Sequence, residues 1–361
     1  MKFDIFFEDA AEICNKVSLS KLKDKTVIVT GASGVLGSYF VACLRHLQKT
    51  EPSNLRVYAL TYSTPLSYLK ELCDFEGAHI LQLDLTDPLA VAQLPNADLI
   101  IHAAGYGQPQ KFLEDQARTI YLNTAATFSL FQKMNPTGQF LFISTSEVYS
   151  GLEVNAYREE HIGTTNTDHP RACYIEAKRS GEAICYAYKQ KGIDVKIARV
   201  ALAYGPGVKL GDKRALHSFV EKGIKGKIEL LDEGLAKRTY CYVTDAMEIF
   251  WNILFHGTHT LYNVGGASRT TIRELAKKIG KMTSAEVIFP AKNRELKSAP
   301  PDVFLDISRA TKEFGKRDFV SLEKGLEKTI AWQRSLLENT GEFSARSLTE
   351  KTSVPKEVSS S

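Results

Sequence analysis

Short apolar runs, several of them β-branched, alternate with stretches of helical spacing through roughly the first half of the chain. Thr26-Val27-Ile28-Val29-Thr30 reads as a buried parallel strand, and Leu55 to Leu60, His79 to Leu83, Asp98 to Gly105, Phe140-Leu141-Phe142-Ile143 and Asp194 to Val200 read as the strands that follow it. Helical patterns follow the first of these through Leu47, surround Asn123, and run from Tyr174 to Gln190. Ahead of them, Phe3 to Val17 places apolar and acidic residues at helical period, as expected of a helix lying on the main body. Alternating strands and helices predict an α/β fold, a Rossmann-type doubly wound parallel sheet with ligands at the carboxyl ends of its strands.

Past Tyr204-Gly205-Pro206-Gly207 the order loosens. Lys209 to Arg214 is a charged loop, Leu216 to Ile224 a helix, and Arg238 to Val243 a strand leading to Asp245. Thr271 and Glu274 form a capping box opening a helix from Ile272 to Met282. We expect an N-terminal helical extension over 1–20 and a dinucleotide-binding domain over 21–205, with 238–262 returning to it. A smaller, partly interleaved C-terminal substrate domain would take 206–237 and 263–335. Residues 341–361, rich in Ser, Thr, Lys and Glu, read as a disordered tail. No internal repeat is visible.

With 361 residues, 43% of them hydrophobic, the chain can bury a large core. Its formal charge of +4 is spread along the length, so no nucleic-acid footprint emerges. No apolar run reaches the ~18 residues of a membrane span, and the acidic Asp4 and Glu8 interrupt any signal-peptide core. The six cysteines make no CxxC pair and no metal-ligand spacing with histidine, so no metal is expected. Reduced thiols point to the cytoplasm.

The candidate chemistry begins where the first strand ends, at Gly31-Ala32-Ser33-Gly34-Val35-Leu36-Gly37. Glycines between a strand and a helix let a pyrophosphate approach the helix N-terminus, where free N–H groups favour anions. Gly31, Ser33, Gly34, Val35, Leu36 and Gly37 are therefore expected to hold a dinucleotide. Asp84, with Leu85, is placed to accept from an adenine amino group, although a turn aspartate reads equally well. Small Ala103 and Ala104 would let the fourth strand pass close to a flat cofactor. The second strand ends in Thr61-Tyr62-Ser63, without the acid that usually holds a ribose or an Arg for a 2′-phosphate. The choice between NAD and NADP therefore stays open at this position.

Further on, Ser144-Thr145-Ser146-Glu147-Val148-Tyr149 turns from apolar residues to hydroxyls and a carboxylate. Tyr174 and Lys178 lie four residues apart, on one helical face. A phenol of pKa ~10 becomes a useful base only when a cation lowers it, a role open to Lys178, while Thr145 could bond the same substrate oxygen.

These features, in this order, resemble the extended short-chain dehydrogenase/reductases, the NAD-dependent epimerase/dehydratase family, over roughly residues 21 to 335. Pro170-Arg171-Ala172-Cys173-Tyr174 and Glu182 to Tyr188 are similar to the UDP-glucuronate decarboxylase subfamily. Thr-Ser-Glu after the fifth strand also occurs in GDP-mannose 4,6-dehydratases, and dTDP-glucose dehydratases keep a related Asp-Glu pair. The resemblance implies a nucleotide-sugar lyase that oxidises C4 transiently, with Thr145, Glu147, Tyr174 and Lys178 catalytic. It also implies Ser146, Arg214 and Arg238 on the substrate, Tyr174 and Lys178 also against the cofactor, a structural Tyr149, and a homodimer through the helices of Asn123 and Tyr174. A 4,6-dehydratase is the second reading, a 4-epimerase the third, and a dinucleotide-sensing scaffold the non-enzymatic one. Two departures stand out. The decarboxylases carry Arg before a Pro-Asp dipeptide, where this chain has Ser298-Ala299-Pro300-Pro301-Asp302, with Arg294 nearest. Leu202 stands where the family usually has a substrate-contacting Asn.

Overall fold

The computed structural model describes residues 4–290 and 302–339. Its centre is a seven-stranded, wholly parallel sheet: β1 (Thr26–Thr30), β2 (Arg56–Thr61), β3 (Ala78–Gln82), β4 (Ala97–His102), β5 (Met134–Thr145), β6 (Asp194–Val200) and β7 (Leu261–Val264). The strands lie in the order β7-β6-β5-β4-β1-β2-β3, so the direction of winding reverses at β1 and β4. This is the Rossmann-like α/β sheet expected from the alternation of apolar runs. All five β1 side chains are buried, and successive ones enter opposite cores: Val27 and Val29 on one face, Ile28 on the other. That is the period-2 geometry of a strand covered on both sides.

The pattern around Asn123 resolves into two helices, Gln116–Asn123 and Ala125–Phe131, interrupted at Thr124 (φ −118°, ψ −81°). A second, smaller sheet is built around the strand Lys237–Tyr242. It pairs antiparallel with Ser268–Thr271 and parallel with both Ala203–Tyr204 and Asp302–Val303. Of residues 238–262, then, the first strand lies in the small sheet. The helix Val243–His256 packs on the helix Val35–Thr50 through Phe40, Phe250 and Trp251, and β7 extends the main sheet. Thr271 and Glu274 close a reciprocal capping box at the head of Ile272–Thr283.

The N-terminal helix Asp4–Lys16 is part of the core. Phe6 is fully buried among Tyr39, Tyr68 and Trp332. Asp9, also fully buried, accepts from the hydroxyls of Tyr39 (2.7 Å) and Tyr242 (3.2 Å) and pairs with Lys328. A carboxylate so deeply placed persists only when paired and hydrogen-bonded. Asp9 thereby joins the first helix, the main sheet's flank, the small sheet and the last helix, Leu322–Asn339. The expected tail over 341–361, Arg294 and the stretch from Ser298 to Pro301 lie outside the described residues.

Candidate active site

The site gathers at the carboxyl ends of β1, β4 and β5. At the end of β1, Gly31 has φ +65°, and a Cβ there would meet the Ala103 carbonyl oxygen at 2.8 Å. A Cβ on Gly37 would fall 2.3 Å from the Gly31 carbonyl oxygen, so helix and loop touch backbone to backbone. Only glycine permits both approaches. The result is a cradle of the shape a pyrophosphate needs, at the N-terminus of the 16-residue helix Val35–Thr50. Tyr68 braces it from below, its hydroxyl donating to the Ser33 carbonyl at 2.6 Å. Val35 and Leu36 begin the helix, half-buried. On the β4 side, the Ala104 N–H donates to Thr30 Oγ1 at 3.0 Å, which holds Ala103 and Ala104 against the loop. The residues present fit a bound dinucleotide.

Asp84 is differently engaged from the expectation of an adenine acceptor. Its carboxylate takes both arms of Arg118 (2.7 and 3.0 Å) and both the N–H and the hydroxyl of Thr86 (2.8 and 2.7 Å). Arg118 holds its carboxyl down at about 2. The guanidinium lies 4.1 Å from the Tyr62 ring centre, so a cation closes the end of β2 where an acid usually stands. Leu85 is buried in the core below. Arg118 sits on a helix far from any motif, and nothing in the sequence pointed to it.

Tyr174 and Lys178 are both buried on the helix Ala172–Gln190, beside the end of β5. Burial pushes the Tyr174 phenol up to about 12, and the charge of Glu147 adds to the rise. A hydrogen bond from Thr145 and the charges of Arg171 and Arg214 oppose it. Lys178 donates to the Ile143 carbonyl at 2.7 Å, and burial pulls its ammonium down to about 8. Its Nζ lies 3.5 Å from where a Cβ on Gly105 would stand, which places the ammonium under the end of β4. The cations acting on the phenol therefore include two arginines that the Tyr–Lys spacing could not reveal.

Phe112 lies flat on Tyr174, ring centres 4.7 Å apart and planes 2° from parallel. Glu147 belongs to the turn Ser146–Tyr149, whose first N–H groups are met partly by Thr145 Oγ1 accepting from the Glu147 N–H at 3.2 Å. Ser146 is half-buried in the same turn. The Glu147 carboxylate contacts the Arg171 guanidinium. Burial raises the Glu147 carboxyl above its usual range; Arg171, and more weakly Arg238, pull it back. The Arg238 charge thus reaches Glu147, while its Nη1 donates to the Lys237 carbonyl at 2.6 Å. Arg214 begins the helix Ala215–Ile224 and is held by Asp212 at 2.7 Å, while Asp212 also accepts from Gln108 at 2.9 Å. Tyr149 is buried, and its hydroxyl donates to Asn263 Oδ1 at 2.7 Å. The structure brings together Thr145, Glu147 and Tyr174 with Arg171, and the charges of Arg214 and Arg238 reach this cluster.

A Rossmann-type sheet with a glycine cradle at its winding reversal and a hydroxyl–phenol–carboxylate cluster beside it defines a dinucleotide-dependent enzyme fold. The family model for the NAD dependent epimerase/dehydratase family matches residues 27–265, and the chain belongs to this family. Its cofactor is NAD. The chain is 28% identical over 326 residues to UDP-glucuronic acid decarboxylase 1 of Xenopus tropicalis, covering 89% of this chain and 75% of that one. It is 28% identical over 307 residues to UDP-glucuronic acid decarboxylase 6 of Arabidopsis thaliana, covering 83% and 86%. Among solved structures, the NAD-bound dTDP-glucose 4,6-dehydratase of Streptomyces venezuelae superposes with a TM-score of 0.74 at 25% identity, covering 88% of this chain and 98% of that one. Together they support a nucleotide-sugar decarboxylase- or dehydratase-type enzyme.

Proposed function

We propose that the protein is a nucleotide-sugar lyase acting through transient oxidation at sugar C4, with UDP-glucuronate as substrate and carbon dioxide as a product. The observation that carries the lyase reading is the Glu147–Arg171 pair, with Glu147 in the turn after Thr145 and close enough to the buried Tyr174 for its charge to raise the phenol. The likeness along 89% of the chain to UDP-glucuronic acid decarboxylase 1 favours the uronate.

Thr145 would hold the C4 oxygen while Tyr174 accepts the C4 hydroxyl proton. Bound NAD supplies a hydride acceptor and later donor at C4. With C4 a ketone, the C5–C6 bond pair can move onto the ketone oxygen as carbon dioxide leaves; the pair then returns to C5, which takes a proton from solvent in place of the departed carbon. Tyr174 then returns its proton as C4 is restored. Lys178 would hold the nicotinamide ribose and carry a charge next to the phenol. Arg214 and Arg238, the arginines facing this cluster, suit a diphosphate.

Glu147 favours a second reading, a nucleotide-hexose 4,6-dehydratase. There the carboxylate would take the C5 proton and protonate the departing C6 hydroxyl. Incubation with UDP-glucuronate and with neutral nucleotide hexoses, read by mass, separates the two. Loss of carbon dioxide from UDP-glucuronate is expected. Untouched UDP-glucuronate, with loss of water from a hexose, would overturn the decarboxylase reading.

A further inference from the structure

We propose that Arg171 is a positioning residue that holds Glu147 as an oriented carboxylate beside Tyr174, and that their pair receives a sugar hydroxyl. The identity of that hydroxyl rests on the nucleotide-sugar reading above; the pairing itself does not.

Arg171 stands at the N-cap of the helix that carries the base, three residues before Tyr174. Its carbonyl accepts from the N–H groups of both Tyr174 and Ile175 at 3.1 Å, so the two side chains start from one rigid turn. A cation at this end of a helix opposes the macrodipole, which favours anions there. Its place is therefore not owed to helix formation. The guanidinium contacts Glu147 and lies 5.6 Å from the centre of the Phe112 ring, which in turn lies parallel to Tyr174. One aromatic side chain thus spaces Arg171 from the phenol while Glu147 ties it to the end of β5.

The groups that face Glu147 are Arg171 on the catalytic helix, Arg238 on the small sheet and the Tyr174 phenol. Of these, Arg171 makes the contact. About a quarter of the Glu147 side chain is exposed, yet one of its oxygens, Oε2, is buried with no partner in the protein. Arg171 Nε is buried and unpartnered as well. A buried donor or acceptor left unmet is destabilising until something pairs with it. Here one of each sits on the two halves of a single ion pair. A hydroxyl carries both a lone pair for Nε and a proton for Oε2, whereas an ionised carboxylate or phosphate has no proton to give. Paired with Arg171, Glu147 also presents no net charge to an acidic sugar, which a lone carboxylate would repel.

The test uses the full-length protein with NAD bound. Infrared difference spectra across pH report protonated carboxyl groups, and the Glu147 band is assigned by its loss in Glu147→Gln. Glu147 should be ionised at neutral pH in the wild type and protonated in Arg171→Met, with Arg171→Lys restoring the ionised form. In turnover, the acid limb of the Arg171→Met profile should move to higher pH by about one unit or more. NAD titration and circular dichroism establish folding, and Arg171→Gln replaces Arg171→Met if the latter does not fold. A folded variant without Arg171 whose Glu147 stays ionised at neutral pH overturns the proposal. If no nucleotide sugar turns over, the spectroscopic result still decides it, and the failure falls on the lyase reading alone.

Discussion

At the scale of single residues, the site is a contest between burial and compensating charge. The Tyr174 phenol, pushed up to about 12 by burial, depends on Thr145 and nearby arginines for its acidity. Tyr174→Phe removes only the hydroxyl, so NAD should still bind while turnover falls ~10²–10⁴-fold, the typical worth of a general base. Activity within tenfold of wild type, with calorimetry confirming NAD binding, would remove Tyr174 from the mechanism. Lys178 makes a pH-dependent prediction. Its folded value of about 8 lies below the ordinary 10.5. Between those values the unfolded chain binds the extra proton, so this group makes stability rise with pH there; below about 8 its full desolvation cost is present. If the ammonium holds the nicotinamide ribose, NAD affinity should instead weaken as pH rises through about 8. Lys178→Met should lower that affinity and flatten its pH dependence in the same calorimetric titration.

Among the elements, the N-terminal helix is the least expected contributor. It joins the last helix through Asp9 and Lys328, and reaches the cofactor loop through Phe6 stacked on Tyr68, whose hydroxyl holds Ser33. Asp9→Ala leaves Lys328 unpaired and two buried tyrosine hydroxyls without their acceptor. Breaking a buried pair on one side costs about 3–5 kcal/mol. Lys328 is about a quarter exposed, which places this case at the lower end. Urea unfolding should show the loss, and an unchanged midpoint would mean the network is dispensable.

At the scale of the whole molecule, Ile120, Phe128 and Tyr186 expose 40–48% of their surface on the helices Gln116–Asn123, Ala125–Phe131 and Ala172–Gln190. Exposed apolar side chains gathered on neighbouring helices suit a protein contact, and a homodimer through this face is expected. Light scattering at micromolar concentration should give twice the mass of one chain. Phe128→Lys should reduce it toward the monomer, since an ammonium buried in such a contact finds no partner. Among the described residues, no helix is long and apolar enough to cross a membrane.

Much of this was decided by local chemistry that a sequence displays. Parallel strands covered on both faces must be apolar on both, so β1 and β4 to β6 stood out as runs, whereas β3, expected to be a strand and found at the sheet edge, has no fully buried residue. Gly31 and Gly37 are required wherever a strand turns into a helix with backbones in contact, and the four-residue spacing of Tyr174 and Lys178 is a property of any helix. The capping box at Thr271 and Glu274 is local in the same sense. Other features join residues far apart in the chain. Arg171 meets Glu147 across a 24-residue separation, Arg118 takes Asp84 from 34 residues away, and Asp9 pairs with Lys328 across 319. Phe112 covers Tyr174 from another helix altogether. Charge compensation and ring stacking act through space, with no fixed spacing along the chain, so only the tertiary structure could show which cations attend the base and its neighbouring carboxylate.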